Sequence, residues 1–539
     1  MQVKNFLKFK PNQFLIMGGY ALVILYVICL MVSIDKGSVW NWFNIYELFN
    51  SDSLYFSSLY RDLFIDKNPV MGMNFTTTPN IFPTMILYFV VRFFVHNFIW
   101  GQLINGFVLI FSFFLIFFQI LKRVVVSNIE HIFIISCCAF ALFFIQSINA
   151  KDLIFSTSWL ILPYHIGAFL VSLCSVILTI DYIKSNKNIK LIILFILNVL
   201  TVFSNKIYIV YFIVPITVTL LLFAFYKDWK YYKLIIINVI STISGIVLYE
   251  IIKRMEWFTV STPPLLSFSN TKNSFKFFYH HFSGFFFEGN FKNVILIICS
   301  ITLILILLFL IINFKKVVVK KQAGNLICFY FVFVFIFSIV ALLTPVINGL
   351  YVDASTIRYN IFVLHLLALN FPVIVFQFIT NSKVLNVSSL LLLFTFFAYG
   401  ISILIKSNVK EEFNKISNYK PEVARKLDKI YISNGLKNGV ANYWDARNSY
   451  MFNSNSARIL AVDDGYNPYL LASNRNLYKA SNNTKAFNFI ILNVFRNDEL
   501  FLKKFGNNVQ KLLDEDGIAI YKVPEFSFDE NLTFYFLQN

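Results

Sequence analysis

The feature that most constrains this chain is a succession of long apolar runs. Eleven stretches, at roughly 13–34, 102–121, 132–148, 163–181, 190–204, 207–226, 233–252, 293–313, 325–344, 360–380 and 387–405, approach the length needed to cross a bilayer. An α-helix spans the hydrocarbon core of about 30 Å in about 20 residues. Lipid offers no hydrogen-bond partners, so each run must satisfy its own backbone, and helices do that within one segment. A soluble fold is excluded on composition as well. The chain is 58% apolar and 14% charged, where soluble domains run near 45–50% and about 25%. The expected class is a polytopic α-helical membrane protein with about eleven transmembrane helices. All six cysteines (Cys29, Cys137, Cys138, Cys174, Cys299, Cys328) lie in apolar runs, where they read as small core residues rather than a disulfide or zinc framework.

A formal charge of +18 would suggest nucleic acid in a soluble chain; its distribution points elsewhere. The first run follows Lys4, Lys8 and Lys10, is too long for a signal-peptide core and lacks a small-residue cleavage site, so it reads as an anchor with its start in the cytoplasm. If the spans alternate from there, one side receives those lysines together with Lys122, Arg123, Lys184, Lys187, Lys190, Lys227, Lys230, Lys233, Lys315, Lys316, Lys320, Lys321 and Lys383. Only Glu130, Asp181 and Asp228 oppose them there. Short loops rich in lysine and arginine mark the cytoplasmic side, which leaves the chain beyond residue 405 outside.

Residues 81–100 are apolar enough to span but contain Arg92 and His96, and counting them as a span would invert every later loop. They read as an interfacial helix on the outer leaflet with Arg92 and His96 toward water. The expected division is a transmembrane domain, 1–405, with a first outer loop at 35–101, followed by a soluble extracytoplasmic domain, 406–539. In that tail, ARILAV, FNFIIL and GIAIYKV look like strands and PEVARKLDKIYISNGL like a helix ending at glycine, which predicts a small α/β domain.

Candidate chemistry lies where polar groups meet the outer membrane surface. The first loop carries Glu47, Asp52, Asp62 and Asp66 among aromatic residues. A carboxylate there can take the proton of an acceptor hydroxyl. Asp52 reads either as that base or as a helix N-cap. Asp62 lies ten residues on, about 15 Å along a continuous helix, so the two cannot share one atom; Asp62 and Asp66 read as a solvated face. Lys151 and Asp152 close the third span, where charges are costly unless paired or used. Arg358, with Tyr359 beside it, begins the tenth span and can hold a phosphate bidentately. Lys206, in an outer turn, has the same capacity as a point charge. His165 and His365 fall within spans and read as core groups. No glycine-rich phosphate loop is present.

The motifs FNSDSLY and LYRDLF, the proline-led FPTMILYFVVRFF, AKD, IRYNIF and GLKNGVANYWDAR, in this order around many spans and an outer tail, resemble the GT-C superfamily of membrane glycosyltransferases. That superfamily includes the protein O-mannosyltransferases and the aminoarabinose transferases of lipid A. The resemblance implies a sugar donor linked to polyprenyl phosphate, a glycan, lipid A or protein acceptor, and a bacterial inner-membrane setting. It implies Asp52 as the base, Asp152 joining it, and Arg358 on the carrier phosphate. The expected reaction is direct, inverting displacement; nucleic acid has no part, no particular cofactor is implied, and divalent-metal assistance stays open. Two alternatives remain: an O-antigen ligase or polymerase, and a non-enzymatic transporter of lipid-linked sugars. A transporter would need ionisable residues along a route through the bilayer, and these spans hold almost none at mid-depth.

Overall fold

A computed structural model of the chain describes residues 11–33, 48–76, 78–149, 165–224, 229–255, 258–260, 268–287, 294–319, 326–378, 382–478, 486–492, 498–506, 508–529, 531 and 533–536. Helices overlie every apolar run: Pro11–Ser33, Phe98–Val124, Ile129–Asn149, Ile166–Ser185, Asn188–Ser204, Val214–Ala224, Trp229–Arg254, Val294–Val319, Leu326–Ile347, Ile361–Phe378 and Ser382–Lys406. Seven are long and apolar enough to cross a membrane on length and composition; the described apolar parts of the other four are shorter. The chain is thus a polytopic α-helical membrane protein with a C-terminal α/β domain.

Burial within the bundle follows the helical period. In Trp229–Arg254 the inward stripe is Leu234, Asn238, Ser241, Gly245 and Tyr249, while Ile236, Val239, Ile240, Ile243 and Val247 face outward. The inward polar groups meet one another. Asn198 Nδ2 donates to Asn238 Oδ1 and to Ser241 Oγ, both at 3.0 Å, and Tyr208 donates to Asn198 Oδ1 at 2.7 Å. Lipid competes for no hydrogen bond, so such pairs fix helix register, each worth on the order of 1 kcal/mol.

Two ends of the bundle differ in charge. At one, Arg123 Nε meets Asp181 at 2.7 Å, Lys190 lies 3.9 Å from the same carboxylate, and Lys184 donates to the Arg123 carbonyl at 2.7 Å. At the other lie the first loop, the second loop and the tail, which share a three-stranded sheet. Its central strand β1 (Met73–Phe75) pairs parallel with β2 (Phe258–Val260) and antiparallel with a two-residue strand, Ser473–Asn474. These strands are too short for sequence alternation to announce them, and the pairing ties three distant segments to one face.

The segment expected as one interfacial helix at 81–100 is two elements. A helix running over Ile81–Phe94 stops at Val95, and Asn97 caps the long Phe98–Val124 helix by accepting from the Ile99 and Trp100 amides. The short helix turns Ile86, Val90, Phe93 and Phe94 outward, and His96 is exposed. Arg92 is not toward water as expected: it is 4% exposed. Its guanidinium donates to the Val95 carbonyl at 2.6 Å and lies 5.0 Å from the Tyr60 ring centre. The stem passes over Gly101, where a Cβ would come within 2.5 Å of Arg92 Cδ. The backbone carbonyl freed by the helix break gives the buried cation its partner. A similar close approach seats the start of this segment: a Cβ on Gly167 would lie 2.0 Å from Thr84 Oγ1.

Beyond Lys406, helices Val409–Ser417 and Glu422–Tyr431 lead into the tail sheet. Its order is Ile459–Val462, Asn438–Asn442, Phe487–Leu492, Ile518–Phe528, Gln510–Glu515, with Phe534–Phe536 also on the long strand. The first three strands are parallel, and the connection between Asn438–Asn442 and Ile459–Val462 contains the helix Tyr443–Phe452.

Candidate functional site

The first loop opens with a turn built by Asn50. Its carbonyl accepts from the Leu54 amide at 2.9 Å and its side chain from the Ser53 amide at 2.9 Å, leading into the helix Tyr55–Tyr60 and a wider turn, Arg61–Ile65. The turn's side-chain bond is therefore Asn50's, the helix itself starts at Leu54 without a side-chain cap, and Asp52 is not its N-cap. The Asp52 carboxylate points at the tail, where Tyr443 donates its hydroxyl to Oδ1 at 2.8 Å. Its other oxygen has no protein hydrogen bond among the described residues, and the side chain is half-buried.

The Tyr443 hydroxyl is held where it is by several contacts. Asn442 caps the Tyr443–Phe452 helix, accepting from the Trp444 and Asp445 amides at 2.9 and 3.1 Å. Ser51 Oγ lies 2.7 Å from the Tyr443 carbonyl and 2.8 Å from that of Trp444. Arg447 donates to the Ser51 carbonyl and to the Ala472 carbonyl. Burial pushes the Tyr443 hydroxyl well above the ordinary phenol range, so it remains a donor.

Two turns along the same helix, Tyr450 takes another acid of the loop, Asp62. Its hydroxyl donates to Asp62 Oδ1 at 3.0 Å and also contacts Asp66 Oδ2. Arg61 donates to the Tyr450 carbonyl at 2.7 Å with its guanidinium 4.1 Å from the ring centre. Asp62 was expected on a solvated face and is instead 6% exposed. The tail helix covers it, which a reading of the loop alone could not foresee. Burial first, and the neighbouring Asp66 charge after it, push the Asp62 carboxyl up to about 6, against the lowering effect of Tyr450, Arg458 and Arg447.

A second cluster gathers at the same end of the bundle. Asp353 and Thr356 form a capping box that starts the short helix Ala354–Tyr359. The half-buried Arg358 lies with its guanidinium 5.4 Å from the Tyr359 ring centre. That ring stacks on His165 at 5.8 Å, and the Tyr359 carbonyl accepts from Tyr211 at 3.1 Å. Behind it, Asn205 Nδ2 lies 3.0 Å from His165 Nδ1 and donates to Asn80 Oδ1 at 2.6 Å. Lys206 follows Asn205 but turns away, 3.8 Å over the Tyr249 ring and 3.9 Å from Glu250. Among the charged candidates for a phosphate, the structure therefore joins Arg358 to Tyr359 and His165, and gives Lys206 a different partner.

Glu47, Lys151 and Asp152 lie outside the described residues. Among the described residues no group of three or more histidine, cysteine or acidic side chains is disposed to hold a metal ion. The residues that sequence reasoning missed are Tyr443, Arg447 and Tyr450. They sit in GLKNGVANYWDARNSY at i, i+4 and i+7, one face of a helix, which was the available signal.

This arrangement offers a carboxylate with one oxygen unengaged by the described residues where the first loop meets the C-terminal α/β domain, and a separate guanidinium framed by aromatic rings. No protein-family model matches the chain, and no curated protein matches it. Among solved structures, it is similar to the crystal structure of ArnT from Cupriavidus metallidurans bound to undecaprenyl phosphate, at 10% identity and a TM-score of 0.49, over 95% of this chain and 98% of that one.

Proposed function

We propose that the chain is a membrane glycosyltransferase that moves a sugar from a polyprenyl-phosphate carrier to an acceptor hydroxyl on the outer face of the bacterial inner membrane. The observation that carries this reading is the Asp52 carboxylate, oriented by Tyr443 with its second oxygen unengaged by protein among the described residues. Asp52 takes the acceptor's proton as the acceptor oxygen forms its bond to the anomeric carbon. The bond from that carbon to the carrier phosphate breaks, and the phosphate leaves with the electron pair, giving inversion. A sugar phosphate already has a good leaving group, so the requirements are a base and a cation for the developing phosphate charge. Arg358 supplies the cation, its bidentate fork suited to phosphate. Glu47, Lys151 and Asp152, which lie outside the described residues, remain candidates to complete the site, while Lys206 is engaged with Glu250 and Tyr249.

Asp52→Asn tests the reading, since it keeps the Tyr443 hydrogen bond and removes the basicity. Transfer from a lipid-linked donor by the purified protein should fall by about 10²-fold or more, the usual worth of general-base help, with donor binding retained. Transfer near the wild-type rate would remove Asp52 from the mechanism.

A further inference from the structure

The C-terminal domain presents two aromatic side chains to solvent around Tyr443, the residue whose hydroxyl holds Asp52. Trp444 is 48% exposed and Tyr469 37%. Both rings meet Tyr443, the residue that holds Asp52, with centres at 5.2 and 5.4 Å and planes inclined by 76° and 68°. Their backbone is fixed. The Trp444 amide donates to Asn442 and its carbonyl accepts from Ser51; the Tyr469 amide donates to the Ala461 carbonyl at 2.9 Å and its carbonyl accepts from Tyr478 at 3.2 Å.

Rigid, exposed aromatic rings next to carboxylates suit one class of ligand. A pyranose has a face of C–H groups that packs on an aromatic ring and a rim of hydroxyls that donate to acceptors. Here the rings are Trp444 and Tyr469, and the carboxylate is Asp52, reached through Tyr443, which both rings touch. A lipid chain would call for a continuous apolar surface without acids. An extended peptide would call for an open strand edge, yet Pro468 and Tyr469 bridge to Val462 and Ala461 and occupy the edge of Ile459–Val462.

We propose that Trp444 and Tyr469 form a carbohydrate platform that seats the acceptor with a hydroxyl toward Asp52, so that the acceptor is a glycan rather than a protein side chain. The proposal rests on the transferase reading above.

The test uses the full chain in lipid nanodiscs and saturation-transfer NMR with two probes: the oligosaccharide pool released by mild acid from envelopes of the native host, and a threonine-containing tripeptide. Saturation should reach sugar C–H protons and not the peptide. It should fall about tenfold in Trp444→Ala, the scale of losing one apolar stacking contact, fall less in Tyr469→Ala, and persist in Trp444→Phe and Asp52→Asn. In turnover, Trp444→Ala should raise the acceptor KM by a similar factor with kcat within a few-fold. Saturation of the peptide instead of the sugars, no sugar signal in the folded wild type, or equal signals in wild type and Trp444→Ala would overturn the platform. So would a fall in kcat at unchanged KM, which would make Trp444 a support for Asp52 only. If Asp52→Asn transfers normally while the sugar signal depends on Trp444, the base assignment fails and the platform stands.

Discussion

Asp52 and Asp62 are ten residues apart and each accepts a hydrogen bond from a tyrosine of the same tail helix, yet their surroundings give them different behaviour. Asp52 keeps access to solvent. Asp62 is enclosed, and its one tyrosine donor is shared with Asp66, so ionising both acids leaves two charges around a single proton. A carboxyl raised from 3.8 to about 6 on docking favours the protonated form. The docked tail therefore gains stability that is present below about pH 4 and lost as pH rises through about 6, on the order of 3 kcal/mol in all. Asp62→Asn imitates the protonated acid at every pH. The variant should unfold at a higher temperature than wild type at pH 7.5, and the gap should close toward pH 4.5; a gap independent of pH would refute the assignment. At this scale the acid-rich loop was legible in the sequence. The tyrosines that sort its acids were not, because Tyr443 lies 391 residues from Asp52 and nothing local links them.

Among the elements, helices over the apolar runs were legible because length and hydropathy alone specify them in lipid. What was not legible is where a continuous apolar stretch breaks. Residues 81–121 carry the interruption at Val95–Asn97 in a single Asn cap, and the buried Arg92 depends on the carbonyl which that break frees. The Tyr443–Phe452 helix shows the same dependence on one residue. Asn442 holds its first turn, and with it the Tyr443 hydroxyl against Asp52. Asn442→Ala should destabilise the soluble domain by about 1 kcal/mol, the usual cost of a lost N-cap, and lower transfer as Tyr443 loses its placement. Asn442→Ser restores a cap oxygen and should recover most of both. Denaturant unfolding followed by tryptophan fluorescence, run beside the transfer assay, separates these outcomes. Equal stability for the alanine and wild-type chains would show that the Ser51 and Arg447 contacts alone hold the turn.

For the whole molecule, the sheet that joins Met73–Phe75, Phe258–Val260 and Ser473–Asn474 puts the first loop, the second loop and the tail on one side of the bilayer, whichever side that is. The basic loops around Arg123, Lys184 and Lys190 lie at the opposite end of the helices. Lysine and arginine concentrate on the cytoplasmic side, so Asp52, Arg358 and Trp444 should face outward. Single cysteines give a direct measurement, because five of the native six are buried and Cys174 is half-buried in a bundle helix. Lys67, Ile432, Val126 and Lys187 are exposed. In spheroplasts, a membrane-impermeant maleimide should label Lys67→Cys and Ile432→Cys at once, and Val126→Cys and Lys187→Cys only after lysis. The reverse pattern would put the acid-rich loop in the cytoplasm and withdraw the outer-face transferase. Labelling of Lys67→Cys without Ile432→Cys would contradict the shared sheet itself, since strands paired in register cannot be separated by a bilayer.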